Sequence, residues 1–392
     1  MRIVIDIRLL GRGNASGIRE YTYHIIEALF ARAPEHEYIL FYPGLKKSPL
    51  PTSWTGRPNV SVVSWRIPNK LLELGSYLFP RFMAIDARLK ADLIFSPHIN
   101  ILVSLHTPRF LTIHDLSFIH YPDFFGLRER IWHSMQHVNQ QVRQAERIIT
   151  NSYFTETDIV ETLRVPKEKI SVVYPGIHKN FRKLDENDPA MNLFIKNNNI
   201  QYPFILALGT IEPRKNITAI IQAFNALKKK PEHRELRLII VGNPGWLHRD
   251  TLKAAAVSEA KDHIIFWGKV KNEERIFLYN KAEALAYPSF FEGFGFPPLE
   301  AQACGCPVVT SDRSSFVEII GASGITVNPW SVYDLTYALH SIMTDHDLRA
   351  KLIAKGLLNA KRFTWEKTAE ELLSVFINAK NNLRHPSAVS RP

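Results

Sequence analysis

Cysteine is nearly missing from the chain: Cys304 and Cys306 are the only two in 392 residues. They stand too close for an ordinary disulfide and are too few for a zinc cage, so a disulfide-stapled secreted domain is excluded and a reducing, cytoplasmic setting is expected. Long apolar runs are missing too. Nowhere do about 18 uncharged apolar residues follow one another, which argues against a membrane span. The start MRIVIDIRLL is apolar but carries Arg2, Asp6 and Arg8 and lacks a small-residue cleavage site, so it reads as a buried strand rather than an export signal. No internal repeat or low-complexity tract is present.

Other signatures are absent or incomplete. The loop LLGRGNASGIREYT has Gly11-x-Gly13 but Ser16 where the third glycine of a dinucleotide fingerprint belongs, which removes the main support for a nicotinamide dehydrogenase. His133 and His137 lie one helical turn apart without the glutamate of a metalloprotease helix. His98, His106, His114 and His120 are spread over strands and loops. Neither a catalytic metal nor an organic cofactor is expected. Acidic residues are in deficit, 38 against 49 Lys and Arg, giving a net charge of +11. Nucleic acid, an acidic membrane surface or an anionic ligand would each suit that charge. Without a recognition helix or an RNA-binding aromatic motif, nucleic acid is not expected.

What is present is rhythm. MRIVIDIRLL, the helical TYHIIEALF, EYILFYP, ADLIFSP and RFLTIHD alternate as strand-helix-strand units of a parallel sheet do. A break falls at Tyr174-Pro175-Gly176, before the polar stretch Lys183 to Gln201, whose turn formers and weak apolar periodicity read as a linker at the domain boundary. The rhythm then restarts with YPFILALG, ITAIIQAFNALKKK, LRLIIVG, HIIFWG, ALAYPS and CPVVTSD. The chain is also longer than the roughly 250–300 residues that one core supports. The expected fold class is therefore α/β, with two doubly wound Rossmann-like domains, 1–182 and 183–364, facing a cleft at the carboxyl ends of their strands. An amphipathic helix begins at Trp365 and runs to about 385.

Four stretches could carry chemistry. FFEGFGFPPLEAQACGC sets Glu292 and Glu300 on either side of a glycine-rich turn, with Pro297-Pro298 starting a helix and Gly305 ending it. Backbone amides of Gly293, Phe294, Gly295 and Phe296 could approach an anion at the helix start. The carboxylates would repel phosphate and instead suit hydroxyl groups, so a ligand with phosphate between two hydroxyl-bearing rings fits both. A helix-end carboxylate at Glu300 and a solvent-facing Glu292 are the alternative. In ALGTIEPRKNI, Arg214 and Lys215 follow a strand end and could neutralise a diphosphate; two solvated charges are the alternative. Gly17 could bring backbone to a ligand, or open an ordinary helix. RFLTIHDLSF delivers His114 and Asp115 to a strand end, where an imidazole could bond a sugar hydroxyl and the carboxylate order an acceptor, or where His114 is simply a satisfied structural residue. Arg66 to Lys90 mixes aromatic, aliphatic and basic residues and suits either a helix pair packed on a domain or contact with a lipid-linked acceptor at a membrane.

Together these stretches resemble the retaining glycosyltransferases of the fourth sequence family, which have the two-domain GT-B architecture. The likeness covers nearly the whole chain. It rests on the paired glutamates, on GTIEPRKN, TIHDLSF, NSYFTETD and VVYPGI, and on FTWEKTAEELL near the end. It implies that Glu292 meets the donor sugar near the reacting carbon and Glu300 holds the ribose. The 293–296 amides would face sugar and diphosphate, and Arg214 and Lys215 would grip the diphosphate, with Gly17 closing from the first domain and His114 beside the sugar. Gly268 and Lys269, in FWGKV, would form the base-contacting loop, and the helix from Trp365 would cross back to the first domain. Thr210 stands where some branches of the family have arginine, leaving the phosphate grip to Arg214 and Lys215. GTIEPRKN is similar to bacterial mannosyltransferases of surface polysaccharide synthesis, which favours GDP-mannose as donor and a glycan or lipid-linked acceptor. A UDP-sugar donor, a glycoside hydrolase using the two glutamates and a non-catalytic sugar-binding protein are the rivals. Peripheral contact with the inner membrane face is one option for such a cytoplasmic enzyme.

Overall fold

A computed structural model describes residues 1–11, 17–45 and 50–384. Contacts divide the chain into two compact units: Met1–Leu116 with Ile131–Gly176 and Trp365–Pro392, and Ser117–Arg130 with Ile177–Thr364.

The first unit is built on seven strands: β1 (Arg2–Asp6), β2 (Glu37–Pro43), β3 (Val60–Trp65), β4 (Leu93–Ser96), β5 (Arg109–Ile113), β6 (Arg147–Thr150) and β7 (Ile170–Val172). All pair in parallel, in the order β3-β2-β1-β4-β5-β6-β7. Ile3, Val4 and Ile5 are all fully buried. Helices on both faces remove alternation and leave a continuous apolar run, as parallel sheets require. Helix Gly17–Arg32 follows β1, while Gly13 and Ser16 of the early glycine loop lie outside the described residues. Helix Trp365–Arg384 returns to this unit, with Phe376 edge-on to Phe95 and Phe110 and Thr368 Oγ1 donating to the Tyr174 carbonyl at 2.8 Å.

The second unit has six parallel strands: β8 (Phe204–Leu208), β9 (Arg237–Val241), β10 (Ile264–Gly268), β11 (Ala284–Tyr287), β12 (Val308–Ser311) and β13 (Ile325–Val327). Their order is β10-β9-β8-β11-β12-β13. The order reverses between β8 and β11, the kind of point at which open parallel sheets bind ligands beyond the carboxyl ends of their strands. Two glycines allow the neighbouring strand ends to meet: at Gly242 (φ +149°) a Cβ would lie 1.9 Å from the Gly209 carbonyl oxygen, so no side chain fits.

Two stretches fold differently from their expected reading. The polar linker 183–201 contains helix Pro189–Asn197. Its start is an N-cap, Asp188 accepting from Met191 N at 2.9 Å, with Pro189 in the first turn. That Asp-Pro signal outweighs the weak apolar periodicity. Arg66 to Lys90 is three helices rather than a pair, Asn69–Leu78, Pro80–Met83 and Asp86–Leu89, because Pro80 and the extended Ala84 interrupt it. Among the described residues no helix is long and apolar enough to cross a membrane.

Candidate active site

The loops that leave β8 and β11 carry the charged residues singled out by sequence. After β8 the chain turns through Pro213–Lys215, and Asn216, with φ +55°, locks that turn by donating its amide to the carbonyls of Pro288 and Pro329 at 3.2 and 2.7 Å. Backbone ties the two loops together, since Phe290 N donates to Arg214 O at 2.9 Å. Arg214 and Lys215 therefore meet Glu292 at the strand-order reversal although they lie far apart in sequence.

The geometry there is a charge network. Arg214 Nη1 lies 2.9 Å from Glu292 Oε2 and also donates to the Phe291 carbonyl, while its Nη2 reaches Glu212 Oε1 at 2.8 Å. Lys215 Nζ bonds Glu292 Oε1 and sits 4.8 Å from the centre of the Tyr287 ring, whose hydroxyl donates to the same carboxylate oxygen at 3.2 Å. Glu212 and Glu292 are buried, and the two cations keep little exposure. Burial alone would raise the Glu292 pKa; the Arg214 and Lys215 cations override it and hold the carboxyl down at about 2. Burial draws the Lys215 pKa downward, opposed chiefly by Glu292. These four groups, two cations and two anions, sum to zero charge.

Glu300 sits apart, in the helix Phe296–Ala303. It is 3 % exposed, with Arg275 Nη2 at 3.2 Å and the Tyr279 hydroxyl donating at 3.0 Å. Pro297 and Pro298 lie in the first turn of that helix, and Gly305 follows its cap with φ +76°. Between the glutamates, Gly295 has φ +98°, and a Cβ there would come within 2.5 Å of Phe316. Residues 293–295 are buried and Phe296 is half-buried. Ser315 Oγ donates to the carbonyls of Glu292 and Phe294 at 2.9 and 3.0 Å, which fixes the turn from the loop after β12. Gly268 closes β10 with φ +75° and open space where a side chain would point, beside an exposed Lys269.

In the first unit, His114 follows β5 with both ring nitrogens engaged: Nε2 lies 2.9 Å from the Pro97 carbonyl and Nδ1 2.7 Å from the Asn151 amide nitrogen. A neutral ring with the proton on Nε2 satisfies both, and burial lowers its pKa in keeping with that form. Asp115 beside it is half-buried, and Gly17 is exposed at its helix start.

Sequence reasoning missed Glu212, Tyr287, Ser315, Arg275 and Tyr279. Glu212 stands inside GTIEPRKN, two residues before Arg214, and an Asp or Glu so close to a candidate anion-binding arginine is a readable signal. Ser315, Arg275 and Tyr279 carry none, because their partners lie on other elements.

Two family models match in tandem, "Glycosyltransferase Family 4" over residues 15–181 and "Glycosyl transferases group 1" over 192–359. Among curated relatives the chain is 29% identical to O-antigen chain mannosyltransferase B of Escherichia coli, over 68% of this chain and 69% of that protein. It is 28% identical to the serotype-specific mannosyltransferase WbdA of Escherichia coli over 60% of this chain, yet spans only 29% of that longer protein. The fold is similar to that of Anabaena HepE, solved in complex with UDP and glucose, with TM-score 0.73 and 19% identity over 96% of this chain and all of that one.

Proposed function

Because this chain belongs to the glycosyltransferases of the GT-B fold, we propose that it moves a hexose from a nucleoside diphosphate to a hydroxyl of a glycan or lipid-linked acceptor, with retention at the anomeric carbon. The observation that carries this reading is the meeting of Arg214, Lys215 and Glu292 at the β8–β11 reversal. Two cations there suit a diphosphate. An ionised Glu292 suits sugar hydroxyls and is unsuited to the general acid of a hydrolase, whose pKa must be raised rather than lowered.

In the reaction we envisage, the acceptor oxygen bonds to the anomeric carbon on the face from which the diphosphate departs, and a leaving phosphate oxygen takes the acceptor proton. Arg214 and Lys215 stabilise the charge that builds on the leaving group. Glu300 holds the ribose after exchanging its internal partners, with Gly268 and Lys269 near the base. The 293–296 backbone contacts the sugar and diphosphate. From the first unit, Gly17, His114 and Asp115 are assigned to diphosphate, sugar and acceptor. Domains 1–182 and 183–364 would divide acceptor from donor binding.

GDP-mannose is the favoured donor, since the two Escherichia coli relatives carry mannosyltransferase names. A UDP-sugar is the second reading, favoured by the UDP and glucose held by HepE. A thermal-shift panel of both donor classes, followed by product analysis with lipid-linked glycans, tests the choice. Stabilisation by neither class, or no consumption of any nucleotide sugar, would sink the reading. The two cations already supply the charge stabilisation, so turnover is expected to survive a chelator; loss that a divalent ion restores would contradict this.

Glu300→Gln is expected to weaken nucleoside diphosphate binding about tenfold, through loss of a charge-assisted contact, while leaving inorganic pyrophosphate affinity unchanged. Calorimetry with the two ligands checks it, and equal losses for both would remove Glu300 from the ribose.

Contact with a membrane is proposed for helix Asn69–Leu78 and the turn that follows. The helix buries Leu72, Glu73, Gly75 and Ser76, while Leu71, Leu74, Tyr77 and Leu78 face out beside exposed Phe79 and Phe82. Lys70, Arg81 and Arg88 are exposed around them. Apolar surface ringed by positive charge suits an anionic bilayer. Phe82→Asp is expected to reduce co-sedimentation with phosphatidylglycerol vesicles several-fold, and equal sedimentation of both proteins would reject the contact.

A further inference from the structure

At the opposite end of the second sheet, before β9 begins, Glu232 and His233 sit on the turn Pro231–His233, facing His340 from the helix Val332–Thr344. Their donor atoms all lie within 4.8 Å of one another, and among the described residues no other three His, Cys, Asp or Glu groups converge so closely. His233 Nε2 is 2.9 Å from His340 Nδ1, the two rings stand nearly perpendicular at 87°, and Glu232 Oε1 is 4.0 Å from His340 Nδ1. His233 is 5 % exposed.

We propose that Glu232, His233 and His340 form a site for one divalent transition-metal ion, zinc being best suited to two imidazoles and a carboxylate, which fastens the turn to the helix. Ligand atoms about 2.0–2.1 Å from a tetrahedral zinc stand about 3.3 Å apart, between the 2.9 and 4.0 Å separations seen here. The two imidazole nitrogens must part by about 0.4 Å and the Glu232 carboxylate must close by about 0.7 Å, and water completes the fourth position. Neighbouring lysines oppose the ion, Lys230 most directly. Lys230 Nζ lies 3.3 Å from His340 Nε2, and metal at Nδ1 puts the ring proton on Nε2, so the ammonium must swing away. The site lies at the amino ends of the strands, away from the loops at their carboxyl ends, and its role is structural.

The test uses untagged full-length protein stripped of metal and titrated with cobalt(II). One equivalent should bind with the visible absorption of a four-coordinate complex, be displaced by zinc, and raise the melting temperature. His340→Ala should abolish both signals while leaving nucleotide-sugar affinity unchanged. Lys230→Met should tighten cobalt binding about tenfold by removing a nearby positive charge, a gain that misfolding cannot imitate. Absence of the absorption in the wild type, its survival in His340→Ala, or no gain in Lys230→Met would each overturn the proposal. None of these outcomes depends on the identity of the donor.

Discussion

Lys215→Ala is expected to lower affinity for nucleoside diphosphates by about 10- to 150-fold, which corresponds to about 1.5–3 kcal/mol for a charge-assisted contact. Its ammonium sits in a prepared place. The side-chain stem runs past Gly209, where a Cβ would come within 3.4 Å of Lys215 Cε, and the head is held between the Tyr287 ring and Glu292. Alanine removes the charge but leaves Arg214 bound to Glu212 and Glu292, so the fold keeps most of its network while the anion loses a partner. Turnover should fall further than affinity, by about 10²–10³ when charge develops on the leaving group, because a preorganised cation is most effective in the transition state. Calorimetry with a nucleoside diphosphate and initial rates at saturating donor separate the two effects. Unchanged affinity would remove Lys215 from the diphosphate site.

Glu292→Gln should behave differently. The carboxylate is the shared counter-charge of Arg214 and Lys215, and it competes with any incoming anion for them. Its replacement by a neutral amide of the same shape changes the network from two cations and two anions to two cations and one anion. Nucleoside diphosphate affinity is therefore expected to hold or rise. Turnover should drop about 10²-fold or more, because the group that accepts hydroxyl bonds near the reacting carbon has lost its charge. The melting temperature should fall as well, since Lys215 loses a charged partner in a buried place. If Glu292→Gln instead weakened nucleotide binding at normal turnover, and Glu300→Gln slowed turnover at normal affinity, the two roles would have to be exchanged.

Local signals made much of this legible. The helix Phe296–Ala303 with its early prolines and terminal glycine could be read directly, as could the apolar runs of β1, β8 and β9, since a few adjacent residues set backbone angles and burial. The helix Pro189–Asn197 was legible in principle, because its Asp188 cap and Pro189 are local features, but they were outweighed by the polar composition around them.

By itself the sequence determined the alternation of strands and helices and the kinds of chemical group delivered to the strand ends. The tertiary structure alone decided which of those groups touch. Lys215 reaches Tyr287 across 72 residues and Glu292 across 77, and His233 meets His340 across 107. Such pairings follow from strand order: β8 and β11 become neighbours only after the chain has crossed out through β9 and β10 and returned. No local pattern encodes that adjacency, because it comes from packing the whole sheet.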